Sequence, residues 1–447
     1  MLDVSAAQER ATALIDRARR AGADAADAIY LADASESVAV RLGKLEDLER
    51  SESEHVSLRV FAGKGSASIG TSDLTDAALD ELAARAVAMA RAAPEDPYAA
   101  LAPDDMLARG PLPQLDLADP AAPAPADLRA VAEAVEAAAL AVPGVTNSQG
   151  GSASAGRTLV ALATSHGFSG GYESTSHGLS ASVVAGEGAG MQRDYAWRSA
   201  RHRADLPGAD AIGRLAGERA VARLAPGRLA SGLLPVVFDP RVGGTLVGHL
   251  LSAMAGSAIA RRASFLLDRD RAQIFPEGIT IVDEPHRVRG LRSKPFDGEG
   301  LPTARRVLVE EGRLTGWLMN TAAARQLGGR PTGHATRGGG APGIGATNTH
   351  VAAGAQTPAE LIADIADGVY VTELIGMGVN GVTGDYSRGA SGLRIVNGEI
   401  AGPVAEFTIA GNLIDMFATM RAADDLEWHR ALNVPTLRID GMTIAGD

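Results

Sequence analysis

"GLRIVNGEIAGPVAEFTIAG", residues 392–411, decides the fold class. Its apolar residues alternate with polar or small ones, the period of a strand with one buried face. Asn397-Gly398 interrupts the alternation, and this dipeptide suits a two-residue hairpin turn because both central residues there need positive φ. Two antiparallel strands are expected. The same grammar recurs outward from this hairpin. "LLPVVFDP" (233–240), "ITIVDE" (279–284), "GVYVTELIG" (368–376) and the late "TLRIDGM" read as strands. "RRVLVEEGRLTGWLMN" (305–320) reads as a second hairpin turning near Glu311-Gly312. Helices are expected over 241–260 and 412–421.

The first half has a helix at 5–22, with a capping box from Ser5 and Gln8. Alternating stretches follow at 27–33, 36–43, 55–63 and 65–72, then a helix at 74–92. Residues 94–126, rich in Pro, Ala and Asp, read as an irregular connector. A helix at 127–141, further short strands and a helix at 208–224 repeat the order, which suggests an internal duplication. The expected organisation is an α+β chain of two domains, with mixed or antiparallel β-sheets flanked by helices. Residues 1–225 form the first domain. Residues 230–447 form a mostly β second domain that carries helix 241–260.

Composition narrows the function. The chain has 447 residues, more than one ordinary core holds. Glycine is abundant, 53 residues, as many tight turns and bulges require. Net charge is −12, which repels a phosphate backbone unless a local basic patch exists, and the best local run is the short "RHR" at 201–203. Nucleic acid is therefore not an expected partner. There is no cysteine, so disulfides, thiolate zinc ligands and thiol nucleophiles are excluded. The N-terminal segment reads as an amphipathic helix and not as a signal peptide. No apolar run suits a membrane span. A cytoplasmic location is expected.

"RVGGTLVGHLLSAMAG" (241–256) looks like half of a metalloprotease helix. A helical zinc protease needs two histidines on one face and a glutamate as general base. His249 stands alone, and Gly243, Gly244, Gly248 and Gly256 suggest close helix packing instead. The pairs His166/His177 and His334/His350 could each meet in space, but neither has metal-ligand spacing. "GMGVNG" (376–381) follows a strand without a helix to hold a pyrophosphate, and "GGGAPG" (338–343) contains Pro342. "DYSRGASG" (385–392) packs Asp385, Ser387, Arg388 and Ser391 between glycines without a nucleophile elbow.

Several longer stretches resemble the TldD/PmbA family, and within it the PmbA (TldE) branch. They are "SFLLDRDRAQIFPEGITIVDEP" (264–285), "NTAAARQLG" (320–328), "GATNTHVAAG" (345–354), "GVNGVTGDYSRGASGLRIVNGEI" (378–400) and "PVAEFTIAGNLIDMF" (403–417). The resemblance implies a cytoplasmic zinc metalloprotease made of two kinds of subunit. The TldD-like subunit carries His-Glu-x-x-x-His on the helix corresponding to 241–256, plus a cysteine ligand. Here Gly248, His249 and Ala253 occupy those positions. No catalytic or metal-ligating residue is expected in this chain, and zinc belongs to the TldD-like partner.

The resemblance also implies unfolded peptides as substrates, in maturing a peptide precursor or degrading an antitoxin, with a further link to DNA gyrase. An extended peptide is expected to add to sheet edges of the second domain. Loops 336–350 and 381–392 are the candidate contact surface, through Asn348, Thr349, Asp385, Ser387 and Arg388. A homodimer is expected in the absence of the partner. The competing readings are an autonomous peptidase with another site, and a binding or modulator protein without a protease partner.

Overall fold

The structure is a computed structural model and describes residues 2–446. The first half comprises α1 (Val4–Arg20), β1 (Ala25–Arg41), β2 (Lys44–Ala62), β3 (Gly65–Thr71), α2 (Asp76–Ala92), α3 (Pro125–Leu140), β4 (Val145–Thr164), β5 (Ser169–Ala185), β6 (Gln192–Ala200) and α4 (Ala209–Val221). All six strands form one antiparallel sheet in the order β3-β2-β1-β4-β5-β6. Each meander of three strands is preceded and followed by a helix, and the two meanders meet where β1 pairs with β4.

Side-chain alternation explains the layers. Ala26, Ala28, Tyr30 and Ala32 of β1 point to the face covered by α1 and α2, and Val38 and Val40 further along meet α3. Ile29 points the other way, into an apolar junction with Leu107 of the connector and with Phe168, Phe296 and Leu301. Phe296 and Leu301 belong to the second half, so this junction joins the halves.

The second half comprises β7 (Gly232–Phe238), α5 (Pro240–Ala253), α6 (Gly256–Ala260), β8 (Ile281–Asp283), β9 (Arg306–Glu310), β10 (Arg313–Leu314), α7 (Thr321–Leu327), β11 (Ala335–Thr336), β12 (Gly343–Ile344), β13 (Thr349–Val351), α8 (Pro358–Ile362), β14 (Asp367–Ile375), β15 (Asp385–Val396), β16 (Glu399–Asn412), α9 (Leu413–Ala418), β17 (Arg421–Ala422), β18 (Leu432–Asn433) and β19 (Leu437–Ala445). One sheet runs β16-β15-β14-β7-β19-β17, and β16 also pairs with β19, which closes it on itself. A second sheet runs β10-β9-β8-β13-β18. Leu246, Leu250 and Met254, from α5 and its end, share one large core with Phe238, Tyr386, Phe407, Phe417 and Leu437. The chain is α+β, with antiparallel and mixed sheets.

Three expectations need correction. Asp3 caps α1 by accepting from the Ala6 N–H at 2.8 Å, so Ser5 lies inside the helix and not at its cap. Residues 27–33 and 36–43 are one strand, because Asp33 to Ser35 pair with β2 on one side and β4 on the other. The 241–260 helix breaks at Ala255, which is extended, and the Gly256 N–H donates to Leu318 O at 2.7 Å. At the edge of the closed sheet, residues 408–410 of β16 pair with β19, and the Gly227 N–H donates to Pro403 O at 2.8 Å, so this part of the edge is already occupied.

Candidate functional site

The metalloprotease-like helix is pinned at its start. The Asp239 carboxylate accepts from the Arg241 N–H at 2.8 Å, and Pro240 occupies the first turn, where its missing N–H leaves no gap. The Arg241 guanidinium donates to both oxygens of Asp194 on β6, at 2.8 and 3.1 Å. Val242, Leu246 and Leu250 then bury one stripe of α5.

His249 lies on the flank of that stripe. Its ring meets Tyr386 of β15 edge-on, with centroids 6.3 Å apart. Arg388 lies two residues along the same strand, hence on the same face as Tyr386. His249 Nε2 and Arg388 Nε have no hydrogen-bond partner among the described residues. Burial and the Arg388 charge hold the His249 imidazole below its usual range. Burial pushes the Tyr386 hydroxyl up to about 12, against the opposing pull of Arg388. At neutral pH the group is a neutral ring, a neutral phenol and a guanidinium.

It does not suit zinc. Gly248 and Ala253 offer no donor atom, and Arg388 would repel the cation. Among the described residues no three of His, Asp and Glu gather closely enough to share a metal. His166 bonds Thr164 Oγ1 and Ala102 O, while His177 lies 3.3 Å from Asp119. His334 lies between Thr332 Oγ1 and Asp283, and the His350 ring leans on Trp428.

Close packing explains only some glycines of this helix. A Cβ on Gly256 would meet Leu318 O at 3.0 Å, but on Gly248 it would meet nothing within 4 Å. The surface at Gly248 is open.

The five proposed contact residues separate into two groups. Asn348 and Thr349 are each 1% exposed. Asn348 Oδ1 accepts from the Arg292 N–H, and its Nδ2 donates to Glu284 O and Ser293 Oγ at 2.9 and 2.7 Å. Thr349 Oγ1 donates to Asp283 at 3.0 Å. Both are committed to internal structure, so their expected contact role is corrected. Asp385 and Ser387 are exposed on one face of β15, and Arg388 is half-buried on the other with Tyr386 and His249.

The 381–392 loop is also corrected: from Asp385 it is strand. The loop proper, 376–384, folds back on β15. The Asn380 N–H donates to Asp385 O at 2.8 Å, and Val379 bridges to Tyr386. The loop and the strand end before it present Ile375 (58% exposed), Met377 (89%) and Val382 (55%) to solvent. Ile375 pairs with Gly389 and so lies on the Asp385–Ser387 face of the sheet, opposite Tyr386 and Arg388; this apolar patch is not legible in "GMGVNGV", whose signal is its glycines.

Two helix-flanked meanders in one sheet, followed by a closed sheet bearing this helix, define an α+β chain of this topology. The chain matches the PmbA/TldA metallopeptidase domain 1 over residues 26–90, the central domain over 118–224 and the C-terminal domain over 231–446. It belongs to the PmbA/TldE family. It is 37% identical to Metalloprotease PmbA of Escherichia coli O157:H7 over 412 residues, covering 92% of this chain and 90% of that protein. It is 34% identical to the Metalloprotease PmbA homolog of Haemophilus influenzae over 437 residues, covering 97% and 94%. The crystal structure of a proposed modulator of DNA gyrase from Bacteroides thetaiotaomicron superposes with a TM-score of 0.91 at 28% identity, over 98% of this chain and 99% of that one. TldE from Thermococcus kodakarensis superposes at 0.86 and 20% identity, over 98% and 100%, which speaks to the fold alone.

Proposed function

We propose that this chain is the zinc-free subunit of a cytoplasmic two-subunit peptidase that acts on unfolded, extended peptides. A TldD-like subunit would supply the metal and the general base. The observation that supports this reading is the helix itself: Gly248, His249 and Ala253, which the family resemblance sets at the ligand and base positions, include only one metal-ligating side chain, and the surface at Gly248 is open. The exposed Ile375, Met377 and Val382 at the end of β14 and in the following loop offer an apolar surface to the partner. The half-buried Arg388 offers a guanidinium to a peptide carbonyl or carboxylate. Without that partner, the same apolar surface supports a homodimer. Peptide-precursor maturation and antitoxin degradation are the activities proposed for the assembled pair.

The test is zinc analysis and hydrolysis of an unfolded peptide by the chain alone, by a TldD-like subunit alone and by their mixture. The expected result is no zinc in this chain, with full activity only in the mixture. Stoichiometric zinc and chelator-sensitive hydrolysis by this chain alone would overturn the reading.

A further inference from the structure

A cleft of about 360 Å³ opens between the end of β6 and two segments of the second half, 287–291 and 428–430. Arg198, Arg201, Arg287, Arg289 and Arg430 line it, and Asp205 is the one carboxylate in its lining. Against a net charge of −12 this is a local reversal of sign.

The arginines divide by how far they are already engaged. Arg201 is spent on structure, donating to the carbonyls of Thr175 (2.9 Å), Gly290 (3.3 Å) and Leu291. Arg289 is neutralised by Asp116 at 2.6 Å and Asp205 at 3.1 Å. The other three keep free capacity. The Arg287 guanidinium lies 3.5 Å over the Trp428 ring and forms no ion pair among the described residues. Arg198 reaches Glu427 only at 3.9 Å, and Arg430 donates to Arg241 O at 3.0 Å while lying over Trp197. Each guanidinium carries five N–H donors in a planar fork that matches carboxylate and phosphate oxygens. Burial lowers the proton affinity of both Arg287 and Arg430, so their charges sit partly out of water without a full counter-charge.

We propose that this cleft binds a multivalent oxyanion, a small ligand or short segment bearing two or more carboxylate or phosphate groups, held by Arg198, Arg287 and Arg430. The volume suits a compact ligand. The site is separate from the His249 surface and does not depend on the function proposed above. His429, in the same lining, reports on it. Burial and the charges of Arg198, Arg430 and Arg219 push its imidazole down to about 4, with Glu427 at 3.6 Å as its facing carboxylate. An anion among those arginines would raise that value.

Calorimetric titration with pyrophosphate and with hexaglutamate tests the proposal. The expected result is one saturable site that weakens with added salt. Arg198→Gln combined with Arg287→Gln should weaken it roughly tenfold or more, Arg287→Lys less, and the remote Arg129→Gln not at all. Tighter binding of hexaglutamate assigns the site to acidic peptide segments, and tighter binding of pyrophosphate to a free phosphate ligand. No saturable binding of either probe, or undiminished binding by the double variant, overturns the proposal. Amide exchange of the wild-type protein with pyrophosphate gives a second readout should the variant misfold. Protection at 198–201, 287–291 and 428–430 supports the site; its absence there refutes it.

Discussion

Gly248 occupies a helix interior, where glycine lacks both side-chain packing and backbone restraint. Because a Cβ there enters open space, Gly248→Ala should stabilise the chain by about 0.5–1 kcal/mol in urea unfolding. A loss of stability would show that the surface is covered in the free protein. Glu299 carries a second residue-scale expectation. Burial and the neighbouring Asp297 raise its carboxyl to about 7, although it accepts from the Thr321 N–H and hydroxyl at 2.8 Å each. The folded state therefore holds this proton more tightly than the unfolded state does. That contribution is full below the usual carboxyl range and is lost as pH rises towards 7. Glu299→Gln keeps an acceptor oxygen without the charge, so the melting temperature of the variant should fall less than that of the wild type between pH 5 and pH 8. Parallel profiles would mean that Glu299 titrates normally. His249 is legible in the sequence as a lone histidine on this helix. Tyr386 and Arg388 against it are not, because that contact is made by a distant strand.

Elements with local punctuation were legible. Asn397-Gly398 and Glu311-Gly312 both turn with positive φ at each central residue, as their hairpins require. Elements defined by long-range pairing were not. Asp33 to Ser35 look like a turn in isolation, yet partners on both sides hold them extended. The β16–β19 closure rests on pairing at residues 408–410 alone, and no local pattern announces it. The basic cleft was half visible: "RHR" supplies Arg201, with Arg198 just before it, but its other arginines come from two distant segments. The 376–384 loop carries the prediction at this scale. Ile375→Asp with Met377→Asp replaces exposed apolar groups, so stability should stay within about 0.5 kcal/mol of wild type. Activity of the mixture with a TldD-like subunit should fall, and co-elution of the two chains with it. Unchanged co-elution would remove this loop from the proposed interface.

Across the whole molecule, buried carboxylates join the halves: Asp194 to Arg241, described above, and Asp27. Asp27 of β1 accepts from Arg59 of β2, with Nε at 2.8 Å, and from Arg337, which arrives from the second half. The three side chains are 4%, 7% and 2% exposed. Beside them Phe168 meets Phe296 edge-on at 5.0 Å, so the charged contact sits next to the apolar junction. Ion pairs of this kind owe their effect to mutual compensation, and removing one partner strands the others out of water. Asp27→Ala would leave two buried guanidiniums without a counter-charge, since Arg337 Nε and Nη1 already lack partners among the described residues. The expected cost is about 3–5 kcal/mol, with a smaller loss for Asp27→Asn, whose amide oxygen still accepts. Because Arg337 is held to the N-terminal sheet through this carboxylate, the loss should also uncouple the halves. Calorimetry should show one transition in the wild type and two in Asp27→Ala, the earlier one reporting the half that depends more on the contact. A single transition shifted by less than about 1 kcal/mol would assign the joining of the halves to the apolar junction around Phe296 instead.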